Sequence, residues 1–341
     1  MMQSRFPPGH AAVATGRIGV LLVNLGTPDA PDVRSVRRYL AEFLSDRRVI
    51  EVPRLIWWLV LNLFILRFRP KRTAHAYAKV WMADSNESPL RHHTRRQAEL
   101  LAARFAGDDR VIVDWAMRYG NPSMASVIAR LKEQGIERLL VVPLYPQYSA
   151  TTTATVVDRL GEVLAGMRWQ PAIRVAPPWH DDPGYVEALA RSVEADRLAN
   201  GEVDTVIASF HGLPKEYFEK GDPYYCHCAK TARLLRERLG TGEEGLRLTF
   251  QSRFGPREWL QPYTDHTLAA LPGQGIRRVA VIMPGFAADC VETLEEIAIA
   301  GRETFMAAGG ETFRTIPCLN DSGDHIDLLE AISRRELGGW I

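Results

Sequence analysis

The fold is decided by the stretch VDTVIASFHGLP, residues 203–214. A mainly apolar run, 203–209, leads into a turn that Gly212 and Pro214 enforce, and His211 stands at the junction. The first half of the chain has a counterpart, IGVLLVNLGTP at residues 18–28, with Leu25 at the same junction. Short apolar runs that end in such turns are typical of strands buried on both faces of a parallel sheet.

Two further pairs of strand-and-turn units extend this duplication outward. The run 111–117 precedes Gly120 and Pro122, and its counterpart 246–252 precedes Gly255 and Pro256. The run 139–142 follows Gly135-Ile136, and its counterpart 279–283 follows Gly275-Ile276. Because the order is the same in both halves, the chain contains an internal repeat.

Stretches with helical periodicity lie between these strands, at 123–132, 186–197, 231–239 and 291–305. The alternation predicts an α/β fold of two similar doubly wound, flavodoxin-like or Rossmann-like domains with a cleft between them. We expect the domains at 17–168 and 169–313, with 314–341 packing back on the first. Residues 1–16 have no continuous apolar stretch and are expected to be a tail, not a secretion signal.

Ligands of such folds bind beyond the carboxyl ends of the strands. The residues expected at those ends are Leu25, Arg118, Tyr119, Tyr145, His211, Arg253, Phe254 and Phe286. No turn fits the dinucleotide pattern G-x-G-x-x-G or the phosphate loop G-x-x-x-x-G-K-[ST], so we reject a dinucleotide site.

Composition narrows the class of protein. The 341 residues include 42 Lys and Arg and 41 Asp and Glu, so no overall positive field favours nucleic acid. Four cysteines are too few for a disulfide framework, which favours the cytoplasm. Cys226-His227-Cys228 could be half of a metal site, but a helix N-terminal turn with small buried thiols is the favoured interpretation.

The longest apolar run is Leu55–Leu66, which is too short to cross a bilayer. Arg67, Arg69, Lys71 and Arg72 follow it, as in segments that enter a membrane interface beside anionic lipid. A buried core helix is the alternative. Two adjacent tryptophans favour exposure.

His211 is the first candidate for chemistry, since a neutral imidazole at a cleft can bind a metal or accept a proton. A hydrogen-bonded structural histidine is the alternative. The stretch Pro284–Glu296 supplies carboxylates, and helical spacing places Asp289, Glu292 and Glu296 on one face. Glu295 is better explained by the helix dipole. Imidazole with carboxylate suits Fe(II) held loosely and passed on.

Six stretches resemble ferrochelatases over nearly the whole chain, from Ile18 to Asn320. They are LLVNLGTP (21–28), AMRYGNPS (116–123), VVPLYPQYSATTTAT (141–155), SFHGLP (209–214), LTFQSRFGPREWLQPYTD (248–265) and MPGFAADCVETLEEI (283–297). The family's catalytic histidine and glutamate fall on His211 and Glu292, which would also contact the metal.

The resemblance implies insertion of Fe²⁺ into protoporphyrin IX to form haem, the last step of haem synthesis. Porphyrin contacts are expected at Leu25, Tyr77, Ser88, Arg118, Tyr119, Trp259 and Phe286. Asp289 would support His211, and Glu296 would extend the carboxylate path. Leu25 in place of a tyrosine, with the SATTTAT and FAADC segments, resembles the protoporphyrin branch of Gram-negative bacteria.

The resemblance also implies partners and a location. The expected partners are protoporphyrin IX, ferrous iron and, transiently, the preceding enzyme of haem synthesis. The Leu55–Leu66 lip would attach the cytoplasmic enzyme peripherally to the inner membrane. Because the chain ends without the C-terminal cysteines of some relatives, we expect no [2Fe-2S] cluster.

Rival functions use the same cleft. A haem or porphyrin carrier needs apolar walls and an axial ligand but no carboxylate opposite the histidine, so Glu292 and Asp289 argue against it. A solute-binding protein would carry an export signal. A chelatase for cobalt or another tetrapyrrole remains within the enzyme class.

Overall fold

The computed structural model describes residues 16–341. The proposed tail, residues 1–16, therefore lies almost entirely outside the described residues. The strands are β1 (Arg17–Thr27), β2 (Val111–Gly120), β3 (Ile136–Pro143), β4 (Ala172–Val175), β5 (Thr205–His211), β6 (Leu246–Gln251), β7 (Arg278–Ile282) and β8 (Thr312–Thr315).

Helices connect the strands and cover the sheets. The α-helices are α1 (Val33–Leu44), α2 (Arg54–Val60), α3 (Leu66–Val80), α4 (Pro89–Arg104), α5 (Met124–Glu133), α6 (Thr155–Ala165), α7 (Pro183–Asn200), α8 (Lys215–Glu219), α9 (Tyr224–Leu239), α10 (Thr264–Ala270), α11 (Arg302–Ala307) and α12 (Gly323–Glu336). Three π-helices span Leu61–Ile65, Ala150–Ala154 and Glu292–Gly301, and a 3₁₀ turn spans Pro272–Gln274.

Two four-stranded parallel sheets confirm the predicted duplication. Their strand orders are β2-β1-β3-β4 and β6-β5-β7-β8, the same arrangement in each half. The register pairs Leu21 with Asp114 and Val141 in the first sheet, and Ala208 with Leu248 and Ile282 in the second. The predicted α/β fold of two doubly wound units is therefore confirmed.

Strand pairing corrects the expected domain limits. Arg138 to Val141 of β3 pair with 172–175, so β4 belongs to the first sheet and not to a domain beginning at 169. The β8 strand pairs with β7, so the chain leaves the second sheet after Thr315 and not after residue 313. Beyond that point α12 packs against α4, α7 and β3. The C-terminal segment thus returns to the first sheet.

One apolar cluster runs through both halves and fixes them against each other. It contains Val20 and Leu140 of the first sheet together with Ala208 and Ile282 of the second. Trp179 packs edge-on against Tyr185 between them, with ring centroids 5.0 Å apart. The carboxyl ends of both sheets are therefore held at a fixed separation.

The segment α2 to α3 exposes its apolar side chains. Leu55, Phe64 and Phe68 are 76%, 60% and 71% exposed, whereas Leu61 and Leu66 are buried and anchor the segment. The core-helix alternative is therefore wrong. Among residues 16–341, no helix is both long and apolar enough to cross a membrane.

A buried histidine links the C-terminal helix to α4. His325 is fully buried, and its Nδ1 donates a hydrogen bond of 2.6 Å to the Asn320 carbonyl oxygen. Burial lowers the pKa of His325 from 6.5 to about 4. The unfolded chain therefore takes up a proton below pH 6.5 that the folded chain refuses until pH 4.

The free energy of unfolding should therefore decrease as the pH is lowered, because of His325. Between pH 7.5 and pH 5 we expect the wild type to lose about 2 kcal/mol more unfolding free energy than His325→Asn, whose amide keeps the Nδ1-like donor. Urea denaturation at a series of pH values measures this difference. Equal losses in the two proteins would contradict the assignment.

Candidate active site

A cavity lies where the strands of both sheets end. Its lining includes the last residues of β1 and β5, residues after β3 and β7, and residues from α3, α4 and the π-helix Glu292–Gly301. The predicted site residues that line it are Leu25, Tyr77, Ser88, His211, Phe286 and Glu292. The structure thus brings the two proposed catalytic residues, His211 and Glu292, to one cavity.

His211 is the last residue of β5 and is half-buried. Its Nδ1 lies 2.6 Å from the Gly212 carbonyl oxygen, which requires the proton to be on Nδ1 in the neutral ring. The Nε2 atom is then the basic nitrogen, suited to accepting a proton or binding a metal. The Phe286 ring lies 6.4 Å from the imidazole, centroid to centroid, on the cavity wall.

Glu292 begins a π-helix of ten residues, not the α-helix that its periodicity predicts. In a π-helix the hydrogen bonds run from residue i to i+5, so each turn takes in slightly more than four residues and positions four apart still lie close to one face. Glu292 lines the cavity, and Glu296, one turn further along, lines a second cavity. Of the three carboxylates predicted to form one row, Glu292 and Glu296 follow each other along the helix, whereas Asp289 lines neither cavity.

Asp289 lies before the helix and is buried among other partners. Its carboxylate accepts hydrogen bonds from Thr293 Oγ1 at 2.8 Å and Asn320 Nδ2 at 2.6 Å. Since the His211 Nδ1 is engaged by Gly212, the predicted support of His211 by Asp289 is wrong. Asp289 instead holds the start of the π-helix against the loop before α12. Glu295 is on the outer face, 2.9 Å from Lys79 Nζ.

Arg118 and Tyr119 lie behind the cavity wall. The Arg118 guanidinium pairs with Asp46 and donates to the Thr155 carbonyl oxygen at 2.8 Å. Tyr119 is 1% exposed, and its hydroxyl donates to the same Asp46 carboxylate at 2.8 Å. Within residues 16–341, neither Arg118 nor Tyr119 lines the cavity. The predicted direct contact of these two side chains with the porphyrin is therefore not supported.

Trp259 is on the loop between β6 and α10, beside Gly212. A Cβ at Gly212 would approach the Trp259 ring to 3.3 Å and the Gln251 carbonyl oxygen to 2.6 Å. The Trp259 indole N–H donates to the Phe254 carbonyl oxygen at 2.9 Å. Trp259 is not among the described residues that line the cavity. It packs against the turn that carries His211.

Comparison with known proteins identifies the family. The model described as Ferrochelatase matches residues 17–337. A protein named Ferrochelatase from Rhizobium meliloti is 59% identical over 97% of this chain and 98% of its own length. Another protein of that name, from Agrobacterium fabrum, is 57% identical over 99% of this chain and 98% of its own length. The chain belongs to the ferrochelatase family. It is a metal-inserting enzyme, and the reaction of the family puts ferrous iron into protoporphyrin to make haem.

A solved structure shares the architecture of this ferrochelatase. SirB from Bacillus subtilis with Fe³⁺ superposes with a TM-score of 0.57, covering 94% of this chain and 95% of its own, at 10% identity. At that identity the likeness shows the fold alone. It is consistent with the two parallel sheets and the central cleft.

The cysteines of the chain do not supply a thiolate to the ferrochelatase cavity. Cys290 lines the cavity, and burial raises the pKa of its thiol well above the ordinary value. Cys226 and Cys228 are in the first turn of α9, as predicted, but Cys226 is exposed. Across residues 16–341, no group of three or more metal-binding side chains is assembled.

Gln251 is a residue of the candidate site that the sequence did not single out. This buried side chain accepts from Ser209 Oγ at 2.8 Å and donates to the Glu292 carbonyl oxygen at 2.8 Å. It thereby joins the strand of His211 to the helix of Glu292. A polar residue at the end of the apolar run 246–250 was the available signal. Asp46, the partner of Arg118, lies in a loop, and no pattern in the sequence pointed to it.

Proposed function

We propose that this member of the ferrochelatase family binds protoporphyrin IX in the cavity between the two sheets and inserts Fe²⁺ there to form haem b. His211 and Glu292 are the reacting groups. The observation that supports this assignment is that an imidazole and a carboxylate, brought by different elements, line one cavity whose remaining walls are largely apolar. A carrier requires no such carboxylate.

Protonation states assign the roles. Insertion of the metal releases two protons from the pyrrole nitrogens, so the site needs a base near the porphyrin centre. His211 Nε2 is that base, because Nδ1 already holds a proton for the Gly212 carbonyl oxygen. Glu292 attracts the divalent ion and receives a proton in turn. Glu296 extends this path away from the cavity.

The walls hold and bend the ring. Leu25, Tyr77 and Phe286 supply apolar contact, and the buried Ser88 lines the cavity as the N-cap of α4, accepting from Arg91 N at 3.2 Å. Arg118, Tyr119 and Trp259 act through the residues in front of them. Tyr119, for instance, packs edge-on against Phe43 of the lining, 5.1 Å between centroids.

Substitution of His211 by alanine tests the base. We expect iron insertion to fall by at least 100-fold, the size typical of losing a general base, because no other imidazole lines the cavity within residues 16–341. Porphyrin affinity should stay within about threefold, since the walls are unchanged. Anaerobic insertion assays and porphyrin fluorescence titration measure the two quantities. An active variant, or one that fails to fold, would contradict the assignment.

We propose further that the exposed apolar segment, which we call the lip (Leu55–Leu66 with Phe68), contacts the membrane. The apolar side chains of Leu55, Phe64 and Phe68 are exposed to water, which is unfavourable, while Leu61 and Leu66 anchor the segment to the protein. Arg67 lies beside Phe68 and Arg72 lies just beyond it, and both suit anionic headgroups. The enzyme would thus be cytoplasmic and peripheral to the inner membrane, where the preceding haem-pathway enzyme could hand over porphyrin directly.

Vesicle binding tests the lip. The triple variant Leu55→Gln, Phe64→Gln, Phe68→Gln should lose binding to vesicles of phosphatidylglycerol and phosphatidylcholine by more than about tenfold, because each buried apolar side chain is worth roughly 1.5–3 kcal/mol. Leu198→Gln is the matched control, since Leu198 is 91% exposed but belongs to α7 and not to the lip. Unchanged flotation of the triple variant would exclude membrane contact through this segment.

Iron enters this proposal as substrate alone. A [2Fe-2S] cluster requires several ligands at one place, and residues 16–341 bring no three metal-binding side chains together. We therefore propose an enzyme without a cluster.

A further inference from the structure

Ser252 has a strained backbone next to the proposed site. Its φ is 64°, in the left-handed region, where the other non-glycine residues of the described chain are Asn86 and Asn320. Asparagine tolerates this conformation, but serine adopts it rarely. Strain of this kind persists only where surrounding contacts enforce it, and it concentrates at functional positions.

The contacts that enforce it are to Glu296. Ser252 N donates to Oε1 of Glu296 at 2.6 Å, and Ser252 Oγ donates to Oε2 at 2.5 Å. Each carboxylate oxygen therefore has its own donor from one residue. Hydrogen bonds to a carboxylate are short and strong, and two of them fix both the position and the rotation of the group.

Glu296 lines the second cavity. This cavity has a volume of about 270 Å³, and its lining includes Gln251, Ser252, Asp265 and Glu296. The Gln251 side chain also donates a hydrogen bond to the carbonyl oxygen of Glu292, which lines the first cavity. Glu296 thus follows the carboxylate of the His211 cavity by one helical turn and lines a different cavity.

We propose that Ser252 is a positioning residue for metal insertion, which holds the Glu296 carboxylate where it can pass protons from the His211 cavity to the second cavity. The inference rests on the proposed function, in which Glu296 extends the proton path. The left-handed backbone directs the Ser252 N–H and hydroxyl at the same carboxylate. Because φ sets the direction of Cβ relative to the N–H, a right-handed or extended φ at Ser252 would turn its hydroxyl away from this carboxylate.

Two substitutions separate the hydroxyl from the backbone. Ser252→Gly keeps the left-handed conformation and the N–H donor but removes the hydroxyl, so folding is preserved. Ser252→Asn also tolerates this conformation and restores a side-chain donor. We expect kcat for Fe²⁺ insertion to fall about tenfold in the glycine variant with the KM for porphyrin within twofold, and to recover at least partly in the asparagine variant.

A double-mutant cycle with Glu296→Gln decides whether Ser252 acts through Glu296. If it does, Ser252→Gly should change kcat by less than twofold in the Glu296→Gln background. Wild-type kcat in the glycine variant, or effects that multiply in the double variant, would overturn the proposal for Ser252. A wild-type protein that inserts no iron would instead overturn the proposed function, so the two failures are distinct.

Discussion

The active-site geometry depends on one buried amide. Gln251 ends β6, and its backbone carbonyl oxygen accepts from Gly212 N at 2.7 Å while its side chain links Ser209 to the Glu292 carbonyl oxygen. Because these bonds are buried, each lost partner would leave an unsatisfied polar group at a cost of about 1–3 kcal/mol. The turn that carries His211 and the helix that carries Glu292 are therefore fixed relative to each other before any substrate binds.

The π-helix carries one carboxylate to each of two cavities. Glu292 lines the cavity of His211, and Glu296, one turn further along, lines the second cavity. Long π-helices are rare and occur frequently at functional sites. In the proposed mechanism, Glu292 serves metal insertion and Glu296 serves proton release.

The sequence predicted the features that depend on pattern. Parallel strands, their duplicated order and the convergence of Leu25, His211 and Phe286 follow from apolar runs that end in glycine and proline turns. The features that depend on side-chain partners were missed. Helical spacing could not distinguish an α-helix from the π-helix at Glu292, and it placed Asp289 with the wrong partner. Nothing in the local sequence shows that Asp46 would pair with Arg118, because that contact joins a loop to a distant strand.

The most direct test of the account is anaerobic insertion of Fe²⁺ into protoporphyrin IX, followed by absorbance, for the wild type and Glu292→Gln. The glutamine has the size of the native residue but neither attracts the ion nor takes a proton. We predict haem formation by the wild type and loss of turnover in the variant, with porphyrin binding retained. Tight porphyrin binding without turnover in either protein would contradict the account and indicate a carrier.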